Sequence, residues 1–339
     1  MERVYGGIDL HSNNNVVVVV DEEDRVLHRK RLRNELGEVV DALSPFAKDL
    51  RGVVVESTYN WYWLVDGLME QGYKVHLANT VAIQQYSGLK YTDDASDAHW
   101  LATLLRLDIL PEGYIYPKEE RPVRDLFRKR SCLVDQHTSN ILSIQNLVAR
   151  NTGRRLSAVA VRRLEDQQVN EMLPNAELAL AVQSSLEVVR CLEIQIKNLE
   201  KVVLQRARLR KEFKNLLTVD GIGKILGLTI MLEVGDIGRF PSVGDFASYA
   251  RCVKSTRLSN GKKKGSGNPK NGNRYLGWAF MEAAGYACRY NDTIQRYYQR
   301  KLAKAHVMVA RKTVAHKLAR ASYYILRDQT VFDVDRAFA

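Results

Sequence analysis

Acidic residues at the ends of apolar runs are the first feature of this chain that could do chemistry. In Gly6-Gly7-Ile8-Asp9-Leu10-His11-Ser12, Ile8 and Leu10 fall on one face of a strand and Asp9 on the other. A carboxylate buried in a sheet is costly unless a partner or a cation offsets it. The run Arg51-Gly52-Val53-Val54-Val55-Glu56 ends in a second acid. Thr92-Asp93-Asp94-Ala95-Ser96-Asp97-Ala98 then opens a helical pattern with a third cluster. Asp94 and Asp97 are three residues apart, so they share a helix face near the positive end of the helix dipole. Aspartates in a first turn also serve as plain caps. Acids on three separate elements of one small domain nevertheless suit magnesium, which prefers carboxylate and water oxygens. Two such ions, ~3.5–4 Å apart, stabilise the attacking and leaving oxygens of a phosphoryl transfer. Asp9, Glu56, Asp94 and Asp97 are the expected ligands, with Asp93 a rival to Asp94. His11 and Ser12 follow the first acid; His11 could assist it, but both read more simply as ordinary polar residues at a strand exit.

The elements that must position these acids follow from patterning. Val4–Leu10, Val16–Asp21 and Arg25–Leu32 read as three strands joined by short polar turns, hence an antiparallel meander. A helix is expected over 35–50, then the strand ending in Glu56, a helix over 61–71, a strand over 73–77 and an amphipathic helix over 94–107. Gly72 stands where a glycine ends a helix. A meander followed by alternating helices and strands is the layout of an RNase H-like α/β domain. Pro111, Pro117 and Pro122 place a boundary near residue 115. Residues 121–150 and 175–213 are strongly helical. Leu178, Leu186, Val189, Leu192, Ile196, Leu199 and Val203 form a stripe that reads as an antiparallel hairpin or coiled coil suited to dimerisation. A long amphipathic helix packing within its own chain would show the same stripe.

The chain has 339 residues, 45% of them hydrophobic, enough for two or three domains with real cores. Its net charge of +12 points to a polyanionic partner. Four scattered cysteines, with no Cys-x-x-Cys pair, argue against a zinc ribbon or a disulfide scaffold and fit a reducing cytosol. No apolar stretch approaches the ~20 residues needed to span a bilayer, and the N-terminus lacks a signal-peptide pattern. A cytoplasmic protein is expected.

The positive charge is concentrated late in the chain. Between Asp245 and Glu282 there are eight cations and no carboxylate. Such a segment binds anions, above all phosphodiester backbone. Arg257, Lys262, Lys263, Lys264, Lys270 and Arg274, with Asn273 beside them, are the candidate nucleic-acid contacts. Residues 259–273 are too rich in glycine and asparagine for a helix and read as a loop. Before them, Gly221-Ile222-Gly223 precedes an apolar helix and is similar to the turn of helix-hairpin-helix modules, where backbone amides approach a phosphate. Residues 275–327 are helical and basic.

Taken together, Gly-Ile-Asp9-Leu-His, Glu56, Thr-Asp-Asp94-Ala-Ser-Asp97-Ala and Ser259-Asn-Gly-Lys-Lys-Lys-Gly through Asn273-Arg-Tyr-Leu-Gly-Trp-Ala-Phe resemble the motifs of IS110-type transposases, particularly the IS1111 subgroup. The resemblance runs the length of the chain in the same order. It implies a RuvC-like DEDD catalytic domain (1–115), a coiled-coil dimerisation region (116–213) and a mainly α C-terminal transposase domain (214–339). It implies that Asp9, Glu56, Asp94 and Asp97 hold magnesium and that Ser259 is the nucleophile, forming a covalent serine–DNA intermediate. Ser255 and Ser266 are local rivals that only the motif sets aside. The expected partners are donor and target DNA, a structured guide RNA and further copies of the chain, as a dimer or tetramer. A hydrolytic junction resolvase would use the same acids without Ser259, and an architectural nucleic-acid-binding protein would need neither.

Overall fold

The computed structural model describes residues 3–83, 94–253, 257–265 and 271–338. The chain divides into two compact units, Met1–Lys118 and Glu119–Ala339.

In the first unit the β-branched runs form a five-stranded sheet. Strands β1 (Val4–Leu10), β2 (Asn14–Val20) and β3 (Val26–Arg33) make the antiparallel meander that their short turns dictate. Strands β4 (Leu50–Glu56) and β5 (Val75–Ala78) add in parallel beyond β1, giving the order β3-β2-β1-β4-β5. Helices α1 (Leu36–Leu43) and α2 (Tyr62–Glu70) cover one face, where Ile8, Leu10, Val17, Val19, Val53 and Val55 are buried. After the short α3 (Thr80–Ile83), helix α4 (Asp94–Arg106) lies on the opposite face, with Ala98 and Ala102 against Val16, Val18 and Val20. Period-two alternation along each strand separates these layers. The helix expected over 35–50 stops at Leu43 and tightens into a 3-10 turn over Ser44–Phe46. Pro45 has no amide proton with which to continue it.

Among the described residues, the second unit is helical apart from one small hairpin. Helices α5 (Arg121–Thr152) and α8 (Ala176–Ala207) are 32 residues each and antiparallel, as the pairs Arg130–Glu200 and His137–Glu193 require. The short α6 (Ala158–Arg162) and α7 (Asp166–Met172) close one end of this pair. The leucine-valine stripe of α8 packs on α5 of the same chain: Val182, Leu186 and Val189 meet Ile141, Ile144 and Val148. Leu180, Val188, Ile194 and Val202 of α8 remain exposed.

Helices α9 (Lys211–Leu216), α10 (Lys224–Val234), α11 (Val243–Tyr249), α12 (Arg274–Tyr290), α13 (Asp292–Leu302), α14 (Val307–Asp328) and α15 (Val334–Phe338) enclose the larger core. Gly221 packs so closely on α12 that a Cβ would meet the Ala283 carbonyl and the Ala287 amide, whereas Gly223 faces open space at the start of α10. Among the described residues, no helix is long and apolar enough to cross a membrane.

Residues 259–273 are not simply a loop. Strands β6 (Arg257–Ser259) and β7 (Lys262–Gly265) pair as a hairpin. Its two-residue turn is Asn260-Gly261, with φ of 49° and 70°. Positive φ at both central positions makes the turn whose twist matches that of paired strands, and Asn-Gly is the dipeptide that adopts it most readily.

Candidate active site

Tyr5, Gly7 and Asp9 occupy the face of β1 opposite Ile8 and Leu10, and α4 lies on that face. Gly7 makes the close approach possible: any side chain there would run into the backbone of Ala98 and Ala102. The first turn of α4, which carries Asp94 and Asp97, is thereby held over the end of the sheet. Asp9 is buried, 3% exposed. Strand β4 runs parallel to β1 with Ile8 opposite Val55, so Glu56 ends its strand alongside Asp9.

The electrostatics show how closely these acids meet. Burial, a hydrogen bond with Asp9 and the charges of Asp9 and Asp97 push the Glu56 carboxyl up to about 8. Glu56 therefore keeps its proton at neutral pH and donates it toward Asp9. Asp9 and Glu56 thus share a hydrogen bond, and the charge of Asp97 reaches Glu56. Asp94 joins them through His11, whose Nε2 is 3.1 Å from Asp9 Oδ2 and 3.3 Å from Asp94 Oδ1. The other oxygen of Asp94 pairs with Arg31 of β3, which holds this carboxyl below its usual range with help from His11. Asp93 lies outside the described residues.

His11, expected to be an ordinary polar residue at a strand exit, stands between Asp9 and Asp94. Its place is fixed through its backbone, since the side-chain amides of Asn34 and Asn60 both donate to the His11 carbonyl at 3.0 Å. Asn15 in turn donates to Asn34 Oδ1, and Thr58 to Asn60 Oδ1. Nothing in the spacing of these polar residues announces a shared acceptor. The Asn13-Asn14-Asn15 run reads only as a turn.

The arrangement has the donors to hold a divalent cation. Asp9, His11 and Asp94 each offer one ligand atom within 4.8 Å of the others. Asp9 Oδ2 and His11 Nε2 are buried, and although close to one another neither has a hydrogen-bond partner of good geometry. A cation would satisfy the orphaned carboxylate oxygen and offset the burial and neighbouring charges that raise Glu56.

In the second unit Ser259 is exposed at the end of β6, immediately before the turn and opposite Lys262. Lys262 and Lys264 are exposed on β7, and Arg257 and Lys263 lie on the two strands. Lys270 lies outside the described residues. Arg274 is exposed at the start of α12, its guanidinium over the Tyr275 ring and donating to the Tyr275 hydroxyl. Asn273 is buried and its side chain is engaged within the fold. Its Oδ1 accepts from the Tyr275 and Leu276 amides, capping α12, and its Nδ2 donates to the buried Glu233 at 2.7 Å.

A five-stranded mixed sheet in this order, with acids at the ends of β1 and β4 beneath a covering helix, defines an RNase H-like domain with a candidate divalent-metal centre. A model described as "Transposase IS116/IS110/IS902 family" matches residues 213–299, and an IS110 DEDD transposase model matches residues 6–151. A relative in Streptomyces coelicolor, "Insertion element IS110 uncharacterized 43.6 kDa protein", is 29% identical over 121 residues. That match covers 35% of this chain and 29% of the relative's length. The chain belongs to the IS110 family of transposases.

Proposed function

We propose that this protein is a DNA transposase that cuts and rejoins DNA by magnesium-dependent phosphoryl transfer. The observation that carries the reading is the hydrogen-bonded pair Asp9 and Glu56, with the charge of Asp97 acting on it and Asp94 reached through His11, at one end of an RNase H-like sheet. Acids gathered there are poorly explained by capping, because Glu56 is raised by burial, by its hydrogen bond with Asp9 and by the charges of Asp9 and Asp97. Bound magnesium would supply Lewis acidity at the scissile phosphate. The residues themselves bind and orient: Asp9, Glu56, Asp94 and Asp97 would hold the ions, and His11 would fix the separation of Asp9 and Asp94.

We assign the nucleophile to Ser259. Its placement beside an exposed two-residue turn, with Lys262 opposite and Lys264 on the same hairpin, supports this role, because a serine hydroxyl needs nearby cations or a base to attack phosphate. Ser259 Oγ would displace a DNA 3′ oxygen and retain the phosphodiester for rejoining. Arg257, Lys262, Lys263, Lys264, Lys270 and Arg274 would contact phosphates. The turn at Gly221–Gly223 is a candidate helix-hairpin-helix-like element, its amides at the start of α10 free to meet a phosphate. The exposed Leu180, Val188, Ile194 and Val202 fall on one face of α8 and support homo-oligomerisation through the long helices. A structured guide RNA is proposed from the family resemblance and the basic charge alone.

Asp9→Ala tests the catalytic assignment. Loss of magnesium-dependent DNA cleavage with DNA binding retained supports the enzyme. Unchanged cleavage removes the acids from the chemistry, and cleavage absent from wild type as well leaves an architectural nucleic-acid-binding protein.

A further inference from the structure

Helix α14 carries Lys312, His316 and Arg320 four residues apart, one per turn and ~6 Å from one to the next along the axis. They form one wall of a cavity of about 1130 Å³ in the second unit. Arg251, Arg274, Lys317 and Arg336 also line it, and Asp333 is the one carboxylate among the lining residues. Asp333 is already engaged, its Oδ1 accepting from the Arg336 amide at the start of α15. Some of the cations are engaged too: Lys317 donates to the Ala337 carbonyl, and Arg251 to the carbonyls of Asn271 and Gly272. Lys312 and Arg320 make no ion pair or hydrogen bond among the described residues. The field inside is strongly positive. Burial and the neighbouring cations hold both His316 and Lys317 below their ordinary ranges.

The mouth of the cavity has a different character. Met308, Val309 and Val331 line it and are 52%, 55% and 64% exposed. Like charges converging on a single, already engaged carboxylate are unfavourable in the free protein, and so are apolar side chains left in water beside them. A ligand with regularly repeated negative charge and flat apolar faces would relieve both. A small anion would meet one or two cations and leave the apolar rim in water. A duplex keeps its bases paired and offers only its backbone. An unpaired strand offers phosphates and bases together, at a repeat comparable to one helical turn.

We propose that this cavity binds an unpaired stretch of polynucleotide, with its phosphates along Lys312 and Arg320 and its bases against Met308, Val309 and Val331. The site deepens the transposase reading and rests on it for nucleic acid as the partner. Among the described residues, none of the Ser259 hairpin lines it.

The test uses full-length protein and fluorescence anisotropy over a series of salt concentrations. The probes are one mixed-sequence oligonucleotide as unpaired DNA, as unpaired RNA and as a DNA duplex. Lys312→Ala and Arg320→Ala are each expected to reduce the slope of log affinity against log salt by ~0.7 for the unpaired strands. The double variant Lys312→Glu/Arg320→Glu is expected to weaken single-strand binding about tenfold or more, with duplex binding changed far less. Lys312→Arg should restore the wild-type slope. Both side chains reach solvent, and unchanged thermal melts would establish that the variants fold. A stronger effect on RNA or on DNA names the strand that occupies the cavity. Single-strand affinity and slope unchanged in the double variant overturn the proposal, as does an equal loss on the duplex. A wild-type protein that binds the unpaired strand through these residues yet never cleaves DNA keeps the cavity assignment and removes the transposase reading.

Discussion

Gly7 of β1 lies against Ala98 of α4 with no room for a side chain between them. A Cβ at Gly7 would run into the Ala98 carbonyl oxygen and sit 2.8 Å from the Ala102 amide nitrogen. This contact sets the height of α4 above the sheet, and with it that of the first turn carrying Asp94 and Asp97. Gly7→Ala should therefore destabilise the first unit by ~3 kcal/mol, the upper end of the usual cost of overpacking, and weaken divalent-cation binding. Urea unfolding with and without magnesium measures both effects. A variant as stable as wild type would show that the helix can lift without consequence.

Glu56 ties stability to pH. Its unfolded carboxyl loses its proton near 4.5, whereas in the folded protein the proton stays until about 8. Stabilisation from this proton is complete below 4.5 and is lost as pH rises through about 8. The metal-free protein should lose thermal stability across that window, and Glu56→Gln should lose less and be the more stable of the two at pH 8. Magnesium at ~100 times its dissociation constant should add ~2.7 kcal/mol to wild type and little to the variant. The account fails here if Glu56→Gln follows the wild-type pH curve.

In the second unit Arg128 holds the buried Glu233 with two bonds of 2.7 Å, and Asn273 supplies another of 2.7 Å. Removing one partner strands a charge away from water. Arg128→Ala should cost ~3–5 kcal/mol, and adding Glu233→Gln should recover part of it. Chemical denaturation of the single and double variants decides this, and no recovery in the double would point to lost packing instead.

The cysteines should separate by environment. Burial pushes the Cys252 thiol up to about 12, whereas Cys132 and Cys191 are exposed. A short iodoacetamide treatment of folded protein at pH 8, read by mass spectrometry, should label Cys132 and Cys191 and spare Cys252. Labelling of Cys252 at a similar rate would mean that α11 and α12 open readily.

The parts of this architecture visible in the sequence are those with a local cause. Ile8, Asp9 and Leu10 reveal their two faces by alternation, and the β-branched runs reveal the meander. Asp94 and Asp97 declare a shared face by spacing. The hairpin over 257–265 was equally local, since Asn260-Gly261 is a strong turn signal, but abundant glycine and lysine disguised the short strands around it. Pro45 likewise marks the stop of α1 inside an apolar pattern that runs on. Other features have no local cause. His11 gains its significance from Asp94, which arrives from a helix more than eighty residues later. Asn273 looks like a polar loop residue until Glu233 of α10 is found behind it. The stripe on α8 shows that a partner helix exists, and only the fold supplies α5 as that partner.

The most direct test of the central claim uses wild-type protein, Asp9→Ala and Ser259→Ala. Each is incubated with magnesium, DNA carrying the element's own junction and RNA transcribed from its flanks, then run on a denaturing gel. The account predicts a covalent protein–DNA adduct with wild type only, lost with Asp9→Ala and with Ser259→Ala while DNA binding persists. Cleaved DNA without an adduct, undiminished in Ser259→Ala, would contradict it and assign the acids to a hydrolytic nuclease.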